Sequence, residues 1–275
     1  MRATTFLVLF VLLHGFAVAD ISLPRLISDG MVLQRDTKIN VWGWAAAGEK
    51  ISIRINAKSY RTVATADGNW RTSIGPFKAG GPFTMEITGR NSITLHDILV
   101  GDVWFCSGQS NMVLTMERVK EKYPSDIGEA NFPQIRNFLV PTYSDVTGPR
   151  KDLPGGKWVA TSPETIYGFG AVAYFFAKAL YLKYHVPIGI INASVGGTPV
   201  EAWISEEGLK QFPDLVAQVD SYKDTAYVNN LLRDAANRPP APRADHDAGM
   251  ESTVKWYDTA YVASGWNKFW LPGYW

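Results

Sequence analysis

The chain has 275 residues, of which 46% are hydrophobic and 19% are charged, and its formal net charge is +1. This composition excludes a largely disordered protein and is sufficient for about two domains with packed cores. Because the net charge is near zero and no basic or acidic cluster is present, neither nucleic acid nor an anionic membrane is supported as a partner.

The first nineteen residues have the organisation of a secretory signal peptide. Arg2 supplies a positive charge, an apolar run follows at 6–13, and the small-residue motif Ala17-Val18-Ala19 ends the segment. The apolar run is too short to cross a bilayer, which favours a cleaved signal over the alternative, a retained membrane anchor. We therefore expect removal of 1–19, a periplasmic or extracellular location, and no membrane span in the mature protein.

Residues 20–96 predict an all-β sandwich domain. Short runs such as 39–44, 51–55 and 83–87 are rich in apolar residues and are separated by glycine-containing turns, which is typical of sandwich strands. The turn at 67–69 is predicted to lead into a buried tryptophan, Trp70. Such a domain can bind sugars or support a neighbouring domain. The supporting role is favoured, because the sequence shows no clustered exposed aromatic residues.

The most informative stretch is GDVWFCSGQSNM, from Gly101 to Met112. Residues 98–106 predict a short buried strand, a Ser-Gly turn ends it, and residues 111–118 are compatible with a helix. A serine on a sharp strand-to-helix turn suits a nucleophile, because backbone N–H groups there can stabilise an oxyanion. The alternative for Ser110 is an ordinary helix cap.

Cys106 is the one cysteine of the chain, so no intrachain disulfide is possible. A nucleophilic role is conceivable, but the residue lies inside an apolar strand. A buried small hydrophobic residue is therefore the favoured interpretation.

From residue 97 to 236 the pattern alternates between strands and helices, which predicts an α/β domain with a parallel sheet. The helix predicted over 169–184 places four apolar residues on its inward face: Ala173, Phe176, Ala177 and Leu180. The strand predicted over 188–193 is apolar except for Asn192, so we expect helices on both of its faces. The remaining predicted elements are a strand over 135–140, a helix over 209–234, and a Pro-rich linker with a Trp-rich tail over 237–275.

A second block, Ser194-Val195-Gly196-Gly197-Thr198-Pro199, follows the 188–193 strand directly. Two glycines at a strand end let the backbone approach a ligand, and their N–H groups can donate to an oxyanion. From the residues alone, an ordinary strand-to-helix turn is an equal alternative.

Together, the two blocks resemble the SGNH (GDSL-like) hydrolases in the form found in sialate O-acetylesterases. The β region shares the resemblance through MVLQR at 31–35 and VWGWA at 41–45. The resemblance implies that Ser110 is the nucleophile and that Ser110 and either Gly196 or Gly197 supply oxyanion N–H groups. It implies neither a metal nor another cofactor.

Two further blocks of that family are missing from this sequence. One is QGESN, which supplies an oxyanion Asn, and the other is Asp-x-x-His, which supplies the catalytic base and its acidic partner. None of the four histidines stands three residues after an Asp. We therefore interpret the chain as the N-terminal part of a family member, with 237–275 as the start of an inserted β domain.

The resemblance implies a secreted serine esterase that removes O-acetyl groups from sialic acids or related acetylated sugars. Because the base is missing, the 275 residues alone are expected to have little esterase activity. Two alternatives stay open: a non-catalytic carbohydrate-binding protein built from the β domain, and an acetylxylan-type esterase on the same scaffold.

Overall fold

The structure is a computed structural model that describes residues 20–239 and 248–265. The predicted signal peptide, most of the predicted linker (240–247) and the end of the Trp-rich tail (266–275) lie outside the described residues. The chain divides into two compact units, Met1–Leu215 and Val216–Trp275. The candidate site lies entirely within the first unit.

Strands dominate the first unit. Those described are β1 Val32–Gln34, β2 Ile39–Trp44, β3 Lys50–Ile55, β4 Lys58–Val63, β5 Asn69–Ile74, β6 Gly80–Thr88, β7 Ser92–Gly108, β8 Phe132–Leu139, β9 Trp158–Thr161 and β10 Ile188–Ser194. The α-helices are α1 Ser110–Val113, α2 Met116–Val119, α3 Pro124–Gly128, α4 Ala171–Tyr184, α5 Glu206–Leu209, α6 Pro213–Lys223, α7 Thr225–Ala236 and α8 Ala248–Glu251, and two 3₁₀ turns span Ile166–Gly168 and Val200–Trp203.

One long strand, β7, joins an antiparallel sheet to a parallel one. The large sheet has the order β4-β3-β6-β7-β10-β8-β9, with β1 paired in parallel to β7. Up to Val100, β7 is antiparallel to β6, and from Asp102 it is parallel to β10, which is in turn parallel to β8. A mixed α/β fold with a parallel segment is thereby confirmed. The predicted boundary between residues 96 and 97 stays a prediction, and β7 runs continuously across it.

The N-terminal part forms two β layers around an apolar core. The separate pair β2–β5 contributes Val41, Trp70 and Ile74, and the facing strands β3 and β6 contribute Ile53 and Met85 to the same cluster. Alternating residues point inward, as expected for strands with one buried face. Strand β2 occupies the predicted residues 39–44, and the predicted burial of Trp70 is confirmed.

Among the described residues, helices cover the parallel strand β10 on one face only. Ile188 and Ile190 pack with α4, whereas Ile191 packs against the N-terminal β core. The prediction of helices on both faces is therefore wrong. A fully apolar strand requires two apolar neighbours, and here a β layer serves as the second one.

The predicted short buried strand at 98–106 is longer and less buried than expected. β7 has 17 residues, and Ile98 is fully buried, but Trp104 and Phe105 are 42% and 68% exposed. From Asp102 onwards, the only described strand that pairs with β7 is β10. No strand of the described residues lies along the other edge from Asp102 onwards, so apolar residues there lie open to solvent.

The helices differ from the predicted ones where segments that are distant in the sequence pack against them. In α4, Ala173 and Ala177 are buried as predicted, but Phe176 is 39% exposed and instead contacts Trp104, with ring centroids 5.0 Å apart. The inward face thus includes Tyr174, which is fully buried.

The predicted helix at 111–118 is two single turns, α1 and α2. Between them the chain pairs with the start of α4, because Ala171 N–H donates to Leu114 O at 2.7 Å. The helix predicted over 209–234 is divided into α5, α6 and α7, and the side chain of Asp224 caps the last of these.

Hydrogen bonds from Arg136 and Trp158 hold β8 and β9 to the segment before β1 and to β7. Arg136, which is 5% exposed, donates to Gly30 O at 2.7 Å and to Asp97 Oδ1 at 2.8 Å. Trp158 packs on Phe138 and its Nε1 donates to Leu26 O at 2.9 Å. Within the described ranges, no helix has the length and hydrophobicity that a membrane span requires.

Because Ile98 is buried and Phe105 is exposed, replacing each of these β7 side chains by alanine should affect stability differently. Ile98→Ala should lower the free energy of unfolding by about 2–5 kcal/mol, because it leaves a cavity in the β core. Phe105→Ala should change it by less than about 1 kcal/mol, because most of the ring is already in water. Urea unfolding followed by circular dichroism measures both values. An equal loss for the two variants would contradict the exposed position of Phe105.

Gly101 is predicted to be required for the change of partner strand. A Cβ at this position would lie 1.9 Å from the carbonyl oxygen of Pro187, so Gly101→Ala must displace β10. We expect a loss of about 1–3 kcal/mol in the free energy of unfolding. Gly128→Ala is the matched control, because no atom lies within 4 Å of its Cβ position. Unchanged stability of Gly101→Ala would show that β10 does not approach so closely.

Candidate active site

Ser110 lies where β7 turns into helix α1. The strand ends at Gly108, whose φ of +140° favours glycine, and a Cβ there would lie 2.9 Å from Met112 Cγ. Gln109 follows, and Ser110 is the first residue of α1. The serine is exposed, so its hydroxyl is accessible from solvent. The structure thus places this candidate on the predicted strand-to-helix turn.

The loop that contains Gly196 and Gly197 (the Gly-Gly loop) leaves the sheet beside the same turn. In the parallel register Ser194 is opposite Gly108, and Val195 N–H donates to Gly108 O at 3.0 Å. A Cβ built on Gly196 would be 3.5 Å from Ser110 Oγ, whereas one on Gly197 would meet no atom within 4 Å. The two sequence blocks, which are more than eighty residues apart, therefore meet at Ser110 through Gly196.

The two glycines have different backbone requirements. Gly197 has a φ of +73°, in the left-handed region, so it supplies the conformation of the turn. Gly196 supplies space, because any side chain there would be in contact with the Ser110 hydroxyl. The sequence does not distinguish the two glycines, and the structure separates them by position.

Side-chain hydrogen bonds join the serine turn to the Gly-Gly loop. The Gln109 amide donates to the backbone oxygen of Thr198. Thr198 Oγ1 in turn donates to Val195 O at 3.0 Å and accepts a hydrogen bond from Trp203 Nε1 at 2.8 Å. Sequence analysis did not identify these contacts, although Gln109, Thr198 and Trp203 all lie in or directly after the two blocks. They fix the position of the loop that contains Gly196.

Beneath the loop, two buried polar residues in β10 support the site. Asn192 is buried, and its Oδ1 accepts a hydrogen bond from Ser194 Oγ at 2.6 Å. A Cβ at Gly170, just before α4, would lie 2.7 Å from Asn192 Nδ2 and 2.9 Å from Met112 O. Strand β10, α1 and the start of α4 therefore converge on one point. The sequence signal for this convergence is the pair of polar residues, Asn192 and Ser194, near the end of an otherwise apolar strand.

The described histidines lie far from Ser110. His96 lies on β7 about 40 Å of extended strand before Gly108. His185 follows the last residue of α4, whose 14 residues extend about 21 Å from their start beside α1. Neither can take the proton of the Ser110 hydroxyl. The other two histidines, His14 and His246, lie outside the described residues.

Within the described ranges, no group of three His, Cys, Asp or Glu side chains could hold a metal ion. Cys106 is buried, and this burial raises the pKa of its thiol, which disfavours the reactive thiolate. The interpretation of Cys106 as a buried small residue is confirmed.

Comparison with known proteins identifies relatives over about two thirds of the chain. The rat sialate O-acetylesterase is 31% identical over 204 residues, which is 67% of this chain and 37% of that protein. The human sialate O-acetylesterase is 30% identical over 202 residues, 67% of this chain and 39% of that protein. Over this matched region, the chain belongs to the sialate O-acetylesterase family. It spans less than half the length of the curated relatives that it matches.

A solved structure supports the same relationship. The crystal structure of a carbohydrate acetylesterase from Xanthomonas citri is 38% identical, with a TM-score of 0.65, over 68% of this chain and 43% of that one. No protein-family model matches the chain. The resemblance to sialate O-acetylesterases stated from the two sequence blocks is thereby confirmed, and the relatives are esterases by name.

Cys106 gives a direct test of the packing beneath the site. We expect a thiol reagent such as DTNB to modify it only slowly in the native protein at pH 8, because the thiol is buried and its pKa is raised. In guanidinium chloride the same thiol should react fully, which serves as the control. Rapid stoichiometric labelling of the native protein would contradict the packing of β7 against α4.

Proposed function

We propose that the protein containing this chain is a secreted serine esterase that removes O-acetyl groups from sialic acids or related acetylated sugars. The observation that carries the proposal is the exposed Ser110 at the end of β7 with Gly196 directly beside it. The names of the relatives support acetylated carbohydrate as the substrate class. The predicted signal peptide supports secretion.

Ser110 Oγ would attack the acetyl carbonyl carbon and form a tetrahedral intermediate. The N–H groups of Ser110 and of Gly196 or Gly197 would stabilise its oxyanion, and Gly196 is favoured because it lies next to the serine. Collapse of the intermediate releases the sugar hydroxyl and leaves an acetyl-serine. Water then hydrolyses this ester to acetate and regenerates the hydroxyl.

A base must take the serine proton in the first step and return a proton to the leaving sugar oxygen. Among the described residues no histidine lies near enough to do this. We therefore propose that the base comes from outside the described residues, which accords with the matched region covering less than half of the relatives. The described residues supply the nucleophile and donors to the oxyanion.

The Gln109–Thr198 and Trp203–Thr198 contacts support a fixed spacing between Ser110 and the Gly196 loop. Electrostatic stabilisation of an oxyanion depends on such preorganised donors. A second candidate, an acetylxylan-type esterase, uses the same atoms and differs only in the sugar that presents the acetyl group. The name of the Xanthomonas citri relative covers both substrates.

The test compares acetate release by the chain, by Ser110→Ala and by Ser107→Ala, with imidazole added as an external base. Without imidazole we expect turnover at least about a thousandfold below that of a complete serine esterase. With imidazole, the chain and Ser107→Ala should show the same added rate, and Ser110→Ala should lack it. Ser107 is the matched control, because it is another exposed serine at the end of β7.

Three substrates separate the candidates: 4-nitrophenyl acetate, O-acetylated N-acetylneuraminic acid and acetylated xylan. Equal imidazole-dependent rates for the chain and Ser110→Ala would contradict the assignment of the nucleophile. High turnover without imidazole that is lost in Ser110→Ala would support the nucleophile and contradict an external base. Preference for acetylated xylan would select the second candidate.

A further inference from the structure

The two-stranded sheet β2–β5 carries a cavity that the esterase chemistry does not use. The cavity has a volume of about 510 Å³. It is lined by two tryptophans and four polar residues: Trp42, Trp70, Asn40, Thr65, Asn69 and Arg71. A concave site that combines an aromatic surface with a few polar groups is the usual form of a small-ligand site.

The register of the two strands brings Trp42, Arg71 and Asn40 to one face. Trp42 is directly opposite Arg71, and Asn40 is directly opposite Ser73. Opposed side chains in an antiparallel pair have Cβ atoms about 5 Å apart, so the indole and the guanidinium are neighbours. Ser73 Oγ donates to Asn40 Oδ1 at 3.1 Å, which orients the Asn40 amide and leaves its N–H groups as donors.

Trp42 is held in place before any ligand binds. The residue is partly buried and packs against the β core cluster while it also lines the cavity. Its indole therefore loses little conformational freedom on binding, which favours affinity. Trp70 lies beneath, and its Nε1 donates to Trp44 O at 3.3 Å, so the lower wall is also fixed.

The polar side chains at the rim of the cavity are either held by hydrogen bonds within the protein or exposed to a ligand. Asp67 accepts hydrogen bonds from Thr65 and Asn69, and these bonds hold the pKa of its carboxyl below the usual range and order both lining side chains. Arg71 is exposed and forms no ion pair with any carboxylate of the described residues. Its guanidinium thus offers several donors without competition from an internal partner.

We propose that this cavity is an accessory binding site for a pyranose ring of a glycan chain. The apolar C–H face of the ring would stack on Trp42, and Arg71 and Asn40 would donate to its peripheral oxygens. Those oxygens are hydroxyls in a neutral sugar and include a carboxylate in an acidic one. The site is separate from Ser110, so it goes beyond the proposed esterase function and does not require a catalytic base.

The test measures binding to the whole chain in a Ser110→Ala background, by isothermal titration calorimetry and tryptophan fluorescence. The probes are xylohexaose as a neutral glycan and 3′-sialyllactose as an acidic one. Saturable binding of at least one probe is expected, and each of Trp42→Ala and Arg71→Ala should weaken it about tenfold or more. Trp44→Ala and Arg90→Ala are the matched controls, because neither residue lines the cavity.

Each outcome bears on the proposal. Binding of xylohexaose alone identifies a neutral glycan, and binding of sialyllactose alone identifies an acidic one. Absence of saturation with both probes up to 10 mM (on the order of the weakest specific affinities) overturns it, as does binding that Trp42→Ala and Arg71→Ala leave intact. If Trp42→Ala unfolds, Asn40→Ala and Arg71→Ala carry the test, since both residues are exposed. Esterase failure leaves this result unaffected, because Ser110 is absent throughout.

Discussion

The continuous backbone of β7 is the constraint on which the rest of the structure depends. Its first half is hydrogen-bonded to β6 in antiparallel order and its second half to β10 in parallel order. The change takes place at Gly101 and Asp102. At Gly101 the backbone of Pro187 comes so close that no side chain fits. Asp102 is held there by a bidentate contact from Arg35. Ser110 is thus positioned from the β core by one uninterrupted strand, and its partner loop by the next strand of the same sheet.

Local patterns predicted the elements whose structure is decided locally. Strand β2 and the turn before Trp70 follow from alternation and turn residues, which act over a few positions. The face of α4 could not be predicted in this way. Phe176 fits the inward stripe of an isolated helix, but the parallel part of the described sheet ends at β7. The helix therefore extends beyond its support, and Phe176 is left exposed with Trp104. Which strand forms an edge is a property of the assembled sheet and has no signature within one segment.

The candidate site also contains features that short motifs predict and features that depend on contacts between distant segments. Motif recognition selected Ser110 and the two glycines, because the chemistry requires particular residue types in a short block. The different positions of Gly196 and Gly197 depend on a loop more than eighty residues from the serine, and the residue types alone do not distinguish them. The contacts of Gln109 and Trp203 with Thr198 are equally non-local. Asn192 and Ser194 were visible as polar residues in an apolar strand, but their pairing with each other appears only when β10 is packed.

Under the proposed function, the described residues supply the position of the nucleophile, and a base from outside them supplies the proton transfer. A nucleophile gains little from accurate placement unless a base is also present, since removal of the base alone costs orders of magnitude in rate. The described residues nevertheless hold Ser110 beside Gly196 through the side-chain hydrogen bonds of Gln109 and Trp203 to Thr198, and this order has a cost in conformational entropy. A serine and an N–H donor that are already in position are useful when a base can be added next to them. Under the proposed function, the parallel sheet is the surface at which that base arrives. Trp104 and Phe105, near the end of β7 that leads to Ser110, are exposed.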